Sequence, residues 1–202
     1  EARNSDMQLT LELAPQKPVV FHGDRGFSKK GAGSGQASYY TSFTDLKTSG
    51  SIRTRSSNSL IQVKGTSWFD HEFGSAQLAH DQEGWDWFGL HLSDGRELMI
   101  YLLRQRDGSL DPASSGTLVN AAGETRHLKL SDFKVKASGS WKSPHSGARY
   151  PAGWQINLPG EDLELALTPT MADQEVRARV PARVSYWEGQ VQVRGRSQGR
   201  PV

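Results

Sequence analysis

Short runs that alternate apolar and polar residues, cut about every ten residues by turn formers, constrain this chain more than any other feature. MQLTLEL (7–13), SIRTR (51–55) and SLIQVKG (59–65) keep a period of two. WFGLHL (87–92) and ELMIYLLR (97–104) flank a short turn with Asp94-Gly95, which reads as a hairpin. GTLVN (116–120) and ETRHLKL (124–130) flank a second turn at Ala121-Ala122-Gly123, and WQINLP (154–159), LELALTP (163–169) and YWEGQVQVRG (186–195) complete the set. No stretch longer than about ten residues keeps a clean 3.6 period, so long helices are not expected. The pattern predicts an all-β chain, and 202 residues suffice for one large β domain or two small ones.

Charge and cysteine content exclude several functions. Lys and Arg total 24 against 22 Asp and Glu, a formal charge of +2. No strong field results, and nucleic acid is not an expected partner. The basic tail RGRSQGR (194–200) reads as a solvated terminus. With no cysteine there are no disulfides, thiolate metal sites or cysteine nucleophiles. No apolar run approaches the ~20 residues of a membrane-spanning helix. EARNSDMQL at the start is not a signal peptide and reads as a cut end, so an export signal would lie upstream. GRSQG (195–199) has the G-x-S-x-G spacing, but the elbow needs a helix after it. HEFGSAQLAH (71–80) separates its histidines by nine residues, which fails zinc geometry on one helix face. Neither a metal nor an organic cofactor is expected. The Gly- and Lys-rich stretch 21–38 and the Pro-containing stretch 142–153 read as linkers or as ordered loops over a cavity mouth.

The stretch TSWFDHEF (66–73) sets Asp70, His71 and Glu72 among three aromatic rings, and GWDWF follows at 84–88. On a strand, Trp68, Asp70 and Glu72 share one face, and Phe69, His71 and Phe73 the other. Trp85, Trp87, Gly89 and His91 likewise share a face of the next strand. If the Trp68 face points inward, a carboxyl among indoles loses water and its ionised form is disfavoured, which suits a general acid. The alternative is a strand end where Asp70 and Glu72 bind backbone amides or an arginine such as Arg104. Trp141, Tyr150, Trp154 and Trp187 read as core and loop anchors.

Several blocks resemble the carotenoid 1,2-hydratase/AttH-like family, the "predicted secreted hydrolase" group with a lipocalin-like domain. They are YYTSFTDL, GTSWFDHEFGSAQL, GWDWFGLHLSDGRELMIYLLR, SSGTLV, the stretch from WKSP to RYPAGW, and YWEGQVQVRG. They follow one another in order along nearly the whole chain. The resemblance implies tandem lipocalin-like antiparallel β-barrels, with the first barrel incomplete here: residues 1–78 as the later part of the first and 79–202 as the second. It implies a hydro-lyase (hydratase) or a cyclase acting without a cofactor on an isoprenoid or polyene-like apolar substrate. By position the hydratase acid maps onto Asp70, with His71 or Glu72 orienting it or activating water. Tyr39, Tyr40, Trp68, Trp85 and Trp87 are expected to line the slot, with His91 and Arg104 beside them. The hydratases have Tyr where Trp68 stands here, and their upstream histidine-rich segment falls near Tyr39-Tyr40. The same resemblance implies a periplasmic or secreted location, and a homodimer or association with a missing N-terminal segment as the protein partner. A lipocalin-like carrier of an apolar ligand without catalysis is the alternative from another class. A hydrolase is the third.

Overall fold

The structure, a computed structural model, describes residues 1–4, 6–56, 59–74, 78–177 and 185–202. Contacts divide the chain into two compact units. One comprises 1–91 with 95–127, the other 92–94 with 128–202.

In the first unit, one sheet contains β1 (Ala2–Arg3), β2 (Met7–Pro15), β3 (Val20–Phe21), β4 (Phe27–Lys29), β5 (Ala37–Thr54) and β6 (Leu60–Gly74). The long β5 is its spine. It pairs antiparallel with β2 along its second half, with β3 and β4 along its first half, and with β6 along its other edge. Alternate residues of β5 are buried: Ser38, Tyr40, Ser42, Thr44, Leu46 and Thr48. Four of these six are Ser or Thr, each satisfied by a side-chain partner. A bulge sets Thr44 and Asp45 opposite Trp68 alone, next to the aromatic stretch, where it re-aims both strands.

The second sheet of this unit is ordered β10 (Thr125–Lys129), β9 (Ser115–Val119), β8 (Glu97–Gln105) and β7 (Gln82–His91). The expected hairpin is present, with His91 opposite Glu97 and Gly95 at φ 82° in its turn. Glu97 through Leu103 are buried without interruption, so both faces of β8 are covered, as its continuous apolar run implies. Tyr40, Met99, Tyr101 and Leu103 form a core cluster, with Trp68, Leu78 and Ala113 packed against it. Polar links join the two sheets as well. Lys17 Nζ meets Glu97 at 2.8 Å and donates to the carbonyls of Gly95 and Asn120. His91 Nε2 donates to the Thr44 carbonyl at 2.6 Å. The first unit runs on to His127.

The second unit is built on a five-stranded antiparallel sheet. Its order is β11 (Lys134–Ala137), β14 (Trp154–Leu158), β15 (Leu163–Pro169), β18 (Val191–Ser197) and β19 (Arg200–Pro201). Trp154, Ile156, Leu158, Leu163, Leu165 and Leu167 are buried at alternate positions, the period-two pattern of the sequence. Two further pairs are β12 (Trp141–Lys142) with β13 (Arg149–Tyr150), and β16 (Glu175–Arg177) with β17 (Ser185–Trp187). The run YWEGQVQVRG is not one strand. Gln174 binds Gln190 through both backbone groups and fills the space beside Gly189, which separates β17 from β18. Trp141 stacks on Tyr150, and Trp154 lies 5.7 Å from Trp187, as anchors. The stretch 142–153 is ordered by Glu175, whose carboxylate accepts from Ser143, Ser146 and Tyr150.

The helical content of the described residues is two single 3₁₀ turns, Leu130–Asp132 and Pro159–Glu161. No helix among them is long and apolar enough to cross a membrane. The described residues adopt the all-β class read from the alternation, and the strand pairs named above are antiparallel.

Candidate active site

Register fixes which side chains of TSWFDHEF meet. Tyr40 lies opposite Glu72 and Ser42 opposite Asp70, so Trp68, Asp70 and Glu72 share the buried face of β5. Phe69, His71 and Phe73 take the other face with Tyr39, and all of these are exposed. A cavity of about 360 Å³ opens on the inner side. Trp85, Trp87 and Leu103 form its apolar wall, with Phe73-Gly74 at the end of β6. Lys30, Ser38, Tyr40, Glu72 and Tyr101 form its polar side.

Asp70 is the centre of a hydrogen-bonded chain. Its Oδ1 accepts from Trp68 Nε1 at 2.6 Å and from the Ser42 hydroxyl. Its Oδ2 accepts from the Tyr40 hydroxyl at 2.9 Å, and that oxygen in turn accepts from Trp87 Nε1 at 2.9 Å. His22, 1% exposed, stands behind Ser42. Its Nε2 lies 2.8 Å from Ser42 Oγ and its Nδ1 lies 2.8 Å from Thr117 Oγ1. The direction of every bond follows. Ser42 donates its hydrogen bond to Asp70, so it accepts from His22 Nε2–H, and His22 Nδ1 is then bare and accepts from Thr117. Burial, helped by the nearby Lys30 and His127, pulls the His22 pKa down to about 3, so the ring is neutral. Burial and then the adjacent charge of Asp70 hold the Tyr40 phenol far above the usual tyrosine range, so it keeps its proton.

Glu72 belongs to a second cluster. Its Oε1 accepts from Ser38 at 2.5 Å and pairs with Lys30 Nζ at 2.8 Å. Lys30 Nζ also lies 3.8 Å from the centre of the Tyr101 ring. The backbone of Lys30 is pinned, its N–H on the Gln36 carbonyl and its own carbonyl on Gln82 Nε2.

The expected site residues fall into those at the cavity and those away from it. Tyr40, Trp85, Trp87 and Glu72 line the cavity, and Trp68 holds Asp70 and packs edge-on to Trp87. Tyr39 does not line it. It follows the strand alternation to the outer face and stacks on Phe73. His71 lies on that outer face too, beside Phe73, and so touches neither Asp70 nor the cavity. His91 braces the Trp68 ring from 5.8 Å and does not face the cavity. Arg104 pairs with Asp86 on the opposite side of the sheet from Trp85 and Trp87, over the space that Gly84 leaves open. The Asp70 carboxyl is not stripped of water among indoles. It is exposed, because β6 pairs with β5 alone, and its oxygens are occupied by three donors. Sequence reasoning missed His22, Lys30, Ser42 and Tyr101. Among the described residues no three His, Cys, Asp or Glu side chains come together to hold a metal ion.

Two solved structures match over nearly the whole chain. A protein assigned as an AttH from Nitrosomonas europaea, solved at 2.00 Å, is 36% identical with a TM-score of 0.87. Kievitone hydratase from Nectria haematococca is 18% identical with a TM-score of 0.78, a likeness of fold. Each alignment covers 99% of this chain and 60% of the other, so the chain spans about three fifths of the length of either protein. No curated protein matches it. The AttH-like family pattern runs across residues 1–201, and the chain belongs to the AttH-like family.

Proposed function

We propose that this chain performs cofactor-free, proton-initiated chemistry on an apolar unsaturated ligand held in the cavity, with Asp70 as the proton source and Tyr40 as its carrier. One observation supports this most. Oδ1 of Asp70 already accepts two hydrogen bonds, so a proton on this carboxyl sits on Oδ2, 2.9 Å from the Tyr40 oxygen. When Oδ2 carries a proton it donates to Tyr40, and the Tyr40 hydroxyl, still fixed by Trp87, turns into the cavity. Tyr40 then gives its proton to an alkene carbon while it takes one from Asp70. The π pair forms the new C–H bond and leaves a cation on the neighbouring carbon. The indole faces of Trp85 and Trp87 stabilise that charge. Water adds to the cation and its surplus proton returns to Asp70, so the sum is an alkene plus water giving an alcohol. In a cyclisation a second double bond takes the place of the water, and a proton lost from carbon closes the cycle. Hydration is the form we favour, since one structure of this fold is named a hydratase. A periplasmic or secreted location and an isoprenoid or polyene substrate belong to the same proposal.

Ser42 next to His22 does not support a hydrolase. It is 1% exposed and its hydroxyl donates to Asp70 rather than to the imidazole.

The test is incubation with a panel of prenylated and polyene compounds in oxygen-18 water, read by mass spectrometry. The wild type is expected to yield a labelled alcohol. Asp70→Asn should yield none, and Tyr40→Phe should lose about 10²–10⁴-fold in rate. Ligands that bind and are recovered unchanged from the wild type would overturn the reading in favour of a carrier.

A further inference from the structure

The polar corner of the cavity has a composition that specifies its ligand further. Lys30 Nζ, on a side chain 12% exposed, pairs with Glu72 Oε1 at 2.8 Å and lies over the Tyr101 ring at 3.8 Å. The corner thus holds one positive and one negative charge, with Trp85, Trp87 and Leu103 as the apolar wall of the same cavity. We propose that the Lys30–Glu72 pair is a head-group subsite for a neutral hydroxyl, alcohol or phenol, on the end of an otherwise apolar ligand.

Donor and acceptor counts at the pair favour a neutral hydroxyl. Glu72 Oε1 takes both Ser38 and Lys30, while Lys30 has three N–H bonds and spends one on that oxygen. A hydroxyl beside the pair can accept from the ammonium and donate to the carboxylate at once. A carboxylate ligand gains Lys30 but meets Glu72, and an amine gains Glu72 but meets Lys30. Lys30 is largely buried while the Glu72 side chain is 38% exposed, and a like charge brought against either is repelled. A hydrocarbon end offers no hydrogen bond to either charge of the pair. Lys30 is also built into place rather than draped on the surface, since Gln36 and Gln82 hold its backbone from both sides.

The subsite deepens the reading of the cavity as a ligand site but does not depend on catalysis. Binding selectivity is measured without turnover, so a chain that binds selectively and converts nothing would sink the proposed reaction and leave the subsite standing. Isothermal titration uses four matched probes: 4-phenylbutanol, butylbenzene, 4-phenylbutanoate and 4-phenylbutylamine. The wild type is expected to bind the alcohol best, and the two charged probes at least about tenfold more weakly. Glu72→Gln, close in shape to the native side chain, leaves Lys30 in charge and should make the carboxylate the best of the four. Lys30→Met should do the same for the amine. The double variant should bind the alcohol no better than butylbenzene. Equal affinity for all four probes in the wild type, no binding of any, or unchanged selectivity in Glu72→Gln would each overturn the assignment.

Discussion

His22 makes this fold sensitive to acid in a way that can be worked through in advance. The ring is buried, and burial with the neighbouring Lys30 and His127 brings its pKa to about 3, whereas an unfolded chain titrates it at 6.5. The unfolded state therefore binds more protons between those values, and stability falls as pH falls. The contribution is complete above about pH 6.5 and is lost progressively down to about pH 3. At 1.36 kcal/mol per unit, this one group removes about 2 kcal/mol between pH 7 and pH 5. In His22→Gln the amide nitrogen reaches Ser42 in place of Nε2–H, but nothing accepts from Thr117. That orphaned hydroxyl costs about 1–3 kcal/mol at pH 7. The variant does not titrate in this range, so the gap between variant and wild type should narrow by about 2 kcal/mol at pH 5. Urea titrations with hydrogen exchange read at the β5 amides report on the first unit alone. Wild type and variant curves that stay parallel from pH 7 to pH 5 would refute the buried, neutral imidazole and the bond directions built on it.

Two further perturbations probe the frame of the site. Lys17→Met strands Glu97, whose side chain is 3% exposed, and should cost about 3–5 kcal/mol by urea unfolding. Adding Glu97→Gln should recover part of that loss, and an unchanged midpoint in the single variant would contradict the buried pair. Gly89→Ala places a methyl 2.4 Å from the Trp87 ring, so the indole must move off Tyr40. The expected outcome is a shifted tryptophan emission and weaker binding of 4-phenylbutanol, and unchanged values for both would show that Trp87 is not held by that contact.

What was legible in the sequence depended on whether the signal was hydropathy or position. Strand β8 declared itself, because Leu98 to Leu103 is a continuous apolar run and both its faces are covered. Much of β5 carried no such contrast. Its inward positions are mostly Ser and Thr, which satisfy each other, His22 or the carboxyls instead of filling an apolar core. The split of TSWFDHEF into two faces was legible because a strand alternates whatever its surroundings. Which expected ligands reached the cavity was not wholly legible. Tyr39 was lost to that same alternation, and Arg104 to a nearer carboxylate on its own side of the sheet. Lys30 was hidden because a Gly- and Ser-rich loop looks mobile in composition. Its position comes from two backbone hydrogen bonds that no local pattern announces.

The exposure of Asp70 changes how the proposed chemistry works rather than removing its basis. An acid sealed among indoles would have to be charged once per cycle in a medium that penalises charge heavily. Here the carboxyl stands on an edge strand that water can reach, while Tyr40, 2% exposed, lines the cavity and donates its hydroxyl to that carboxyl. Ser42 and Trp68 occupy Oδ1 and so direct the exchangeable proton to the oxygen that faces Tyr40. Trp87 then keeps the phenol oxygen in place as its own proton turns toward the ligand. In this scheme the apolar pocket never has to hold the ionised acid, and selectivity for proton transfer comes from the direction of four hydrogen bonds rather than from desolvation of one side chain.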